Sequence, residues 1–257
     1  MRLLRRILKD AFFAFHRTEL GSRASILSYH NIGNDGAFFT VSKSELERQL
    51  KYIKEHNVCI VRLSELARRL QGGKDISGCV ALTFNDGYKS FYTELFPLLK
   101  KYEIPATIFI TAEVLDTSIK TSDGHTFQTL SLAEVREMLG SGLVEFMPQA
   151  QHRTALHEVP FEHAVDRIQN ARRDVEGITQ KEARVFAYSK GRPTEQLAKH
   201  MREHNWLGAV TGYEGLVHPN IDPFFLPRNA VDSRTTFTQF KGKVSGAIEE
   251  YVELRKK

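Results

Sequence analysis

Apolar runs alternate with amphipathic segments along most of the chain. From Ser25 onward, short apolar runs of strand length are followed by segments in which apolar residues recur at helical spacing. This alternation is typical of parallel strands joined by crossover helices. The predicted strands cover residues 25–30, 57–63, 78–84, 105–111, 143–147, 183–188, 207–211 and 224–231.

The segments between these runs carry helix signals of their own. Ser42 and Ser131 are each followed three residues later by Glu, which predicts a capping box at the start of a helix. The predicted helices cover residues 42–53, 64–71, 88–102, 131–139, 161–176, 193–204 and 236–254. The stretch 111–130 is expected to be a polar loop. No repeat or linker interrupts this pattern, and a length of 257 residues suits a single α/β barrel.

Residues 1–22 form a separate, basic segment ahead of the predicted domain at 23–257. As a helix, this segment would have a broad apolar side opposite its basic residues. Its apolar stretches are interrupted by charged residues too often for a transmembrane span or a signal peptide. Two interpretations stay open: a helix docked on the domain, or residues 1–17 lying on an anionic membrane surface. The apolar side contains Leu3, Leu4, Ile7, Leu8, Ala11, Phe12 and Phe15, and the basic side contains Arg2, Arg5, Arg6 and Lys9.

The net charge and the two cysteines indicate which binding partners and which cellular location to expect. The net charge is +5, and residues 1–23 hold six basic and two acidic residues, so the rest of the chain is nearly neutral. A nucleic-acid partner is therefore not expected. Cys59 and Cys79 lie in apolar runs without zinc or C-x-x-C spacing. This pattern predicts buried thiols and a cytoplasmic protein. Because of the basic segment at residues 1–22, attachment to the inner face of the membrane is the alternative location.

Several motifs, in a fixed order, resemble those of the polysaccharide deacetylase family (NodB-type carbohydrate deacetylases). The most specific is Thr83-Phe-Asn-Asp-Gly-Tyr88, which resembles T-F-D-D-G-Y after a strand. The resemblance covers roughly residues 25–231. The supporting segments are Leu27-Ser-Tyr-His30, Glu145-Phe-Met-Pro-Gln149 through Leu156, Phe186-Ala-Tyr-Ser-Lys-Gly191 and Leu226-Pro-Arg228.

Membership would imply a distorted (β/α) barrel and metal-assisted hydrolysis of acetyl groups on glycans. In the family, the first Asp of the motif is the general base, and the second Asp with two His holds a divalent metal. The base takes a proton from water, and the metal polarises the acetyl carbonyl. The chemistry of such barrels lies on the loops after the strands.

This chain departs from the family at the positions that carry the chemistry. Asn85 stands at the base position, where an amide cannot serve as a base near neutral pH. The metal carboxylate is retained as Asp86, but Gln149 and Arg153 align with the two His positions. Gln is a poor ligand for a transition metal, and Arg stays protonated. We therefore expect no metal, with Arg153 paired to Asp86 in its place.

A rebuilt site is the alternative. His152 lies one residue from the expected ligand position, and His30 and His157 lie near other motifs, so zinc or another divalent metal would be bound only if these residues replaced the lost ligands. Arg228 is expected to pair with a carboxylate at the mouth of the barrel. Tyr29, His30, Tyr88 and Tyr188 are candidates for contact with a sugar.

The sequence leads to a protein of glycan or cell-envelope metabolism that lacks metal-dependent deacetylation and binds a glycan, an acetylated sugar or a partner enzyme. The alternative is an active N- or O-deacetylase with a rearranged metal site. The oligomeric state and the identity of the glycan do not follow from the sequence.

Overall fold

The computed structural model describes residues 2–16, 18–121, 124–150, 155–188 and 193–256. Its strands are β1 (Ser25–Tyr29), β2 (Cys59–Ile60), β3 (Cys79–Phe84), β4 (Ala106–Ile110), β5 (Ser118–Lys120), β6 (Thr126–Gln128), β7 (Val144–Pro148), β8 (Val185–Ala187), β9 (Gly208–Val210) and β10 (Asn229–Ala230). Its helices are α1 (Arg2–Phe15), α2 (Lys43–Glu55), α3 (Leu63–Gln71), α4 (Phe96–Tyr102), α5 (Leu132–Gly140), α6 (Phe161–Thr179), α7 (Glu195–Glu203), α8 (Phe237–Ser245) and α9 (Ala247–Lys256).

The main sheet is parallel, with the strand order β10-β1-β3-β4-β7 and with β2 beside the start of β3. A second parallel pair joins β8 to β9. Isolated bridges connect Gln149 to Ala187 and Val210 to Leu226, so the strands continue from β7 through β9 toward the segment that enters β10. This is the parallel α/β fold that the sequence predicts, and its strand carboxyl ends share one edge.

The central strands are buried on both faces, which explains why they are nearly continuous apolar runs. Every residue of β1, β3 and β4 is buried, as expected when helices cover a parallel sheet. Both predicted capping boxes mark real helix starts. Ser42 Oγ accepts from the backbone N–H of Glu45, and Ser131 and Glu134 make the full reciprocal pair.

Two segments differ from the prediction in how their chain is divided. The predicted helix 236–254 is two helices, because Gly246 adopts a positive φ of 102° where α8 ends. A Cβ at Gly246 would lie 3.1 Å from the carbonyl oxygen of Glu19. The predicted helix 88–102 begins with a π-helical turn, Phe91–Leu95, before α4.

In two further segments the predicted type of secondary structure is wrong. The predicted loop 111–130 contains the antiparallel hairpin β5–β6, which Phe127 anchors by packing against Tyr88 with ring centroids 5.3 Å apart. The predicted strand 224–231 opens with a 3₁₀ turn, Pro223–Phe225, and within it only β10 forms a strand, apart from the single bridge at Leu226. Asp222 caps that turn by accepting a hydrogen bond from the backbone N–H of Phe224 at 3.0 Å.

Helix α1 docks on the last two helices while part of its apolar surface remains exposed. Phe13 is buried and lies against Gly242 of α8, and Asp10 accepts hydrogen bonds from Thr236 and Gln239 at 2.5 and 2.7 Å. Phe13 is not on the apolar side that the sequence predicts. Three exposed apolar residues of α1 are on that side: Ile7, Leu8 and Phe15, which is 85% exposed. No helix in the described part of the chain is long and apolar enough to cross a bilayer.

Candidate functional site

The loop after β3 places two polar side chains at the carboxyl edge of the sheet. Asp86 and Gly87 both adopt positive φ, 73° and 63°, so the chain turns sharply directly after Asn85. Gly87 also lies close to β4, because a Cβ at this position would be 3.0 Å from Cγ2 of Ile110. Glycine therefore suits both the backbone conformation and the packing at residue 87.

The side chain of Asn85 is buried, and both ends of its amide are hydrogen-bonded. Its Nδ2 donates to Ser28 Oγ at 3.0 Å and to the Tyr29 carbonyl oxygen at 2.9 Å. Its Oδ1 accepts from Arg228 at 2.8 Å. Arg228 is thus the donor to the side-chain oxygen of residue 85, and the Tyr29 carbonyl oxygen is a backbone acceptor for its side-chain nitrogen. This arrangement fits an amide, whose two ends have opposite hydrogen-bonding character.

Asp86 and Gln149 form a two-point contact across the ends of β3 and β7. Gln149 Nε2 donates to Asp86 Oδ1 at 2.8 Å, and the backbone N–H of Asp86 donates to Gln149 Oε1 at 3.3 Å. The Tyr88 hydroxyl donates to Asp86 Oδ2 at 3.2 Å. Both carboxylate oxygens of Asp86 therefore accept hydrogen bonds from neighbouring side chains, and Asp86 and Gln149 are both buried.

Arg228 brings a positive charge to this site from the far end of the sequence. Its Nε donates to the Thr211 carbonyl oxygen at 2.9 Å, and its Nη1 donates to the amide oxygen of Asn85. Burial lowers the pKa of Arg228 to about 10, and the negative charge of Asp86 opposes that shift. Arg228 is thus the described cation that compensates Asp86 electrostatically, and its hydrogen-bonding partner at the mouth is the amide Asn85 instead of the predicted carboxylate.

The expected pair between Asp86 and Arg153 lies outside the described residues, as does the rescue candidate His152. Of the other rescue candidates, His30 follows β1 and its ring lies edge-on to Phe39 at 6.1 Å. His157 lies in a 3₁₀ turn, with its Nε2 3.7 Å from Glu158.

The described donor set does not fit a divalent metal of the kind the family uses. Within residues 2–16, 18–121, 124–150, 155–188 and 193–256, no three His, Cys, Asp or Glu side chains come together as a potential metal site. Asp86 is the carboxylate at the centre, and its neighbour at the first expected His position is an amide that hydrogen-bonds to it. A primary amide is a weak ligand for a transition metal.

The predicted sugar-contacting residues fall into two groups. Tyr29 and Tyr188 are core side chains and do not face a cleft: Tyr29 donates to Gln49 at 2.9 Å, and Tyr188 contacts Met201 Sδ at 3.4 Å. Burial raises the pKa of both phenols. Tyr88 is also buried, but it touches Asp86 and so helps to form the base of the site. His30 remains partly exposed at the edge.

Sequence reasoning missed two contributors to the site. Ser28 lies inside the motif Leu27-Ser-Tyr-His30, where its hydroxyl accepts from Asn85. Thr211 contributes only a backbone oxygen, which no motif reveals. Two neighbouring aromatic residues also lie beside the site: Phe39 stacks with Tyr88 at 6.2 Å, and Phe38 is 56% exposed.

Several known proteins with a similar sequence or fold are named as deacetylases. A poly-β-1,6-N-acetyl-D-glucosamine N-deacetylase of Staphylococcus epidermidis is 26% identical over 211 residues, which is 79% of this chain and 72% of that protein. A deacetylase of Streptococcus pyogenes, solved in complex with acetate, has a TM-score of 0.76 at 19% identity and covers 88% of this chain and 99% of its own. A polysaccharide deacetylase of Bacillus cereus has a TM-score of 0.72 at 20% identity, over 88% of this chain and 70% of its own.

The family match extends over the strands that build the site. The family model described as polysaccharide deacetylase matches residues 72–207, which include β3 with Asn85 and Asp86 as well as β7 with Gln149. That range is more than half of the chain, and the solved relatives share its parallel sheet. The chain belongs to the polysaccharide deacetylase family.

Proposed function

We propose that this protein binds an acetylated glycan of the N-acetylglucosamine type and does not carry out metal-dependent deacetylation. The observation that carries the proposal is the environment of Asn85. Its amide nitrogen faces the Tyr29 carbonyl oxygen at 2.9 Å and its amide oxygen faces Arg228. A general base needs an available lone pair of suitable basicity. The base position is instead occupied by an amide that takes part in a buried hydrogen-bond network.

The environment of Asp86 supports the same proposal. A carboxylate that binds a metal needs at least one oxygen directed at the ion and further ligands around it. Here Oδ1 and Oδ2 of Asp86 accept from Gln149 and Tyr88. Binding a metal would break these contacts, and Gln149 would have to turn its amide to replace them. The nearby Arg228 charge also opposes a second cation beside Asp86.

We assign the stacking contact with the sugar to Phe38, an exposed aromatic side chain near the site. It lies in the loop after β1, next to Phe39, which stacks with the Tyr88 that touches Asp86. The loop is tied down because Ser233 donates to the Phe38 carbonyl oxygen at 2.7 Å. An exposed aromatic ring held on a fixed backbone offers an apolar contact surface at little entropic cost. This role replaces the one predicted for Tyr29 and Tyr188.

The proposal is tested with a β-1,6-linked N-acetylglucosamine oligomer and its de-N-acetylated form. Calorimetry measures binding of each, and an acetate assay with added zinc measures turnover. We expect the acetylated oligomer to bind and no acetate to appear above the blank. We expect Phe38→Ala to weaken binding about tenfold, since an aromatic contact contributes about 0.5–1.5 kcal/mol.

Phe15→Ala is the matched control, because it removes another exposed phenylalanine from α1. It should leave glycan affinity unchanged. Acetate release that disappears in Asp86→Asn would show that the protein is an active deacetylase and would overturn the proposal. Equal binding of both oligomers, or of neither, would reject an acetylated glycan as the ligand.

We also propose that α1 holds the protein at an anionic membrane surface, at the inner face of the membrane if the predicted cytoplasmic location is correct. The support is the combination of exposed Ile7, Leu8 and Phe15 with four basic residues among the first nine. Apolar residues inserted at the interface and basic residues near anionic headgroups act together.

Flotation with vesicles of phosphatidylcholine, with and without phosphatidylserine, tests this attachment. We expect binding that requires phosphatidylserine and weakens with salt. Phe15→Ala should reduce it, and Phe38→Ala should not, so that the two exposed phenylalanines separate membrane attachment from glycan binding. Unchanged flotation of the double variant Leu8→Ser, Phe15→Ala would exclude α1 as the attachment site.

A further inference from the structure

The two cysteines lie side by side at the amino end of β3, the end opposite the candidate site. Cys59 of β2 and Cys79 of β3 are register partners in the parallel sheet. The prediction that both thiols are buried is wrong for Cys59, which is exposed, while Cys79 is buried. Cys59 escapes burial because β2 is only two residues long and borders β3 as a short outer strand.

The two sulfur atoms are already in contact. Cys59 Sγ and Cys79 Sγ are 3.4 Å apart. Side chains of register partners project to the same face of a sheet, so both sulfur atoms lie on the same side of β2 and β3. Neighbouring strands are about 4.8 Å apart, which is within the range of Cα separations that disulfides span. Closing the remaining gap requires a small movement of the two-residue strand β2.

Arg69 supplies a positive charge next to both sulfurs. Its guanidinium lies 3.6 Å from Cys79 Sγ. The pKa of Arg69 is raised mainly by its hydrogen bond to Glu65 and to a smaller extent by the two cysteines. Arg69 is held in place by Glu65 on the same helix, at 2.9 Å. A cation beside a thiol favours the thiolate, which is the nucleophile in thiol–disulfide exchange. At Cys79, burial outweighs this effect of Arg69 and raises the pKa of the thiol.

We propose that Cys59 and Cys79 form a reversible disulfide by exchange with a small-molecule disulfide such as oxidised glutathione. The exposed Cys59 is the attacking residue and the buried Cys79 is the resolving residue. The bond would close a loop that contains α3 and would join β2 covalently to β3.

The exchange balances in two steps. The Cys59 thiolate attacks one sulfur of glutathione disulfide, forms a mixed disulfide and releases one glutathione thiolate, which takes up a proton. The Cys79 sulfur, after losing its proton to solvent, then attacks Cys59 Sγ and releases the second glutathione. The protein is oxidised by two electrons and the glutathione disulfide is reduced to two thiols. Burial raises the pKa of Cys79 to about 12, so the second step is slow and speeds up as the pH rises.

Mass spectrometry of the full-length protein in glutathione redox buffers tests the proposal. We expect a transient adduct of one glutathione, followed by a product that has lost two hydrogen atoms and has no free thiol. We expect reduction by dithiothreitol to restore the starting mass. The oxidised form should melt roughly 5 °C higher, because the disulfide constrains the unfolded chain.

Single variants separate the two roles. Cys59→Ser should not react with glutathione disulfide, whereas Cys79→Ala should stop at the glutathione adduct. Arg69→Gln should slow formation of the adduct in the protein that keeps both cysteines. A wild-type protein that keeps both thiols, or that stops at the adduct up to pH 9, would overturn the proposal. This outcome needs no variant, so a folding defect in Cys79→Ala would not affect it.

Discussion

Two regions of the molecule bury charge in different ways. At the carboxyl edge of the sheet, Asp86 and Arg228 attract each other, but each makes its hydrogen bond to a separate amide: Arg228 donates to Asn85, and Asp86 accepts from Gln149. Beneath α1, the buried Lys243 of α8 meets Glu214 directly at 3.3 Å. The first region consists of hydrogen bonds between different strands, and the second of an ion pair supported by packed helices.

The two regions differ in how their buried charges are stabilised. A buried ion pair gains from direct attraction but pays for desolvation. A network through amides spreads the polar contacts over several strands and leaves the charges apart. The edge of the sheet therefore depends on complete hydrogen bonding, whereas the α1–α8 region depends on packing and charge. Substitutions in the two regions should therefore change stability by different amounts.

Arg228→Met should have the largest effect, a loss of about 3–5 kcal/mol in the free energy of unfolding. It removes the donor to Asn85 Oδ1 and to the Thr211 carbonyl oxygen, and it takes away a buried positive charge that attracts Asp86. Urea unfolding at pH 7 measures the loss. Arg68→Met is the control, because this exposed arginine pairs with Glu65 on the surface and should change stability by less than about 0.5 kcal/mol. A loss below about 1 kcal/mol would indicate that another cation, with Arg153 the first candidate, compensates Asp86.

Gly242→Ala should destabilise the α1–α8 region by about 2 kcal/mol. A Cβ at residue 242 would lie 2.0 Å from Cδ1 of Phe13, so α1 must shift or detach. Gly177→Ala in α6 is the matched control, since a Cβ there meets nothing within 4 Å. It should stabilise the protein by about 0.5–1 kcal/mol through helix propensity. Limited proteolysis near residue 17 should accelerate in Gly242→Ala alone; equal protection in both variants would argue against the docked position of α1.

Glu214→Gln should have the smallest effect, about 1 kcal/mol at pH 7, because Glu214 is partly exposed and the amide still accepts a hydrogen bond from Lys243. The effect should also depend on pH. Burial raises the pKa of Glu214, but Lys243, Lys9 and Arg255 outweigh it, so the pKa falls below its usual value of 4.5. Below pH 4.5 the unfolded state therefore binds more protons, and stability increases with pH there. The contribution is complete above pH 4.5 and is lost as the pH falls through the folded-state pKa. The stability difference between wild type and Glu214→Gln should thus shrink on acidification, and a difference that is constant from pH 7 to pH 3 would contradict the assignment.

The sequence predicted the features that depend on local order. The motif Thr83–Tyr88 located the site loop, and the serines at 42 and 131 located two helix starts. Both signals lie within a few residues of the structure that they specify. The parallel α/β class followed from the same local alternation of strand and helix patterns.

The features that sequence reasoning missed depend on contacts between distant segments. Arg228 meets Asn85 across 143 positions, so its partner could not be identified from spacing. Tyr29 and Tyr188 were expected at the rim, but strands buried on both faces show no alternation that would tell an inward ring from an outward one. The burial of Phe13 could not be predicted, because the space beside Gly242 that its ring occupies exists only in the folded chain.

The docking of α1 has a consequence for the order of events during translation. The segment that carries α1 is synthesised before most of its contacts exist, since Gly242 and Tyr251 follow it by more than 220 positions. At about 5–20 residues per second, the nascent helix waits roughly 10–45 s for α8 and α9. Strand β1 likewise waits for β10, its parallel neighbour. Throughout that interval an unpaired, basic, apolar segment extends from the ribosome, so chaperones or a membrane can engage it before the protein's own last helices are made.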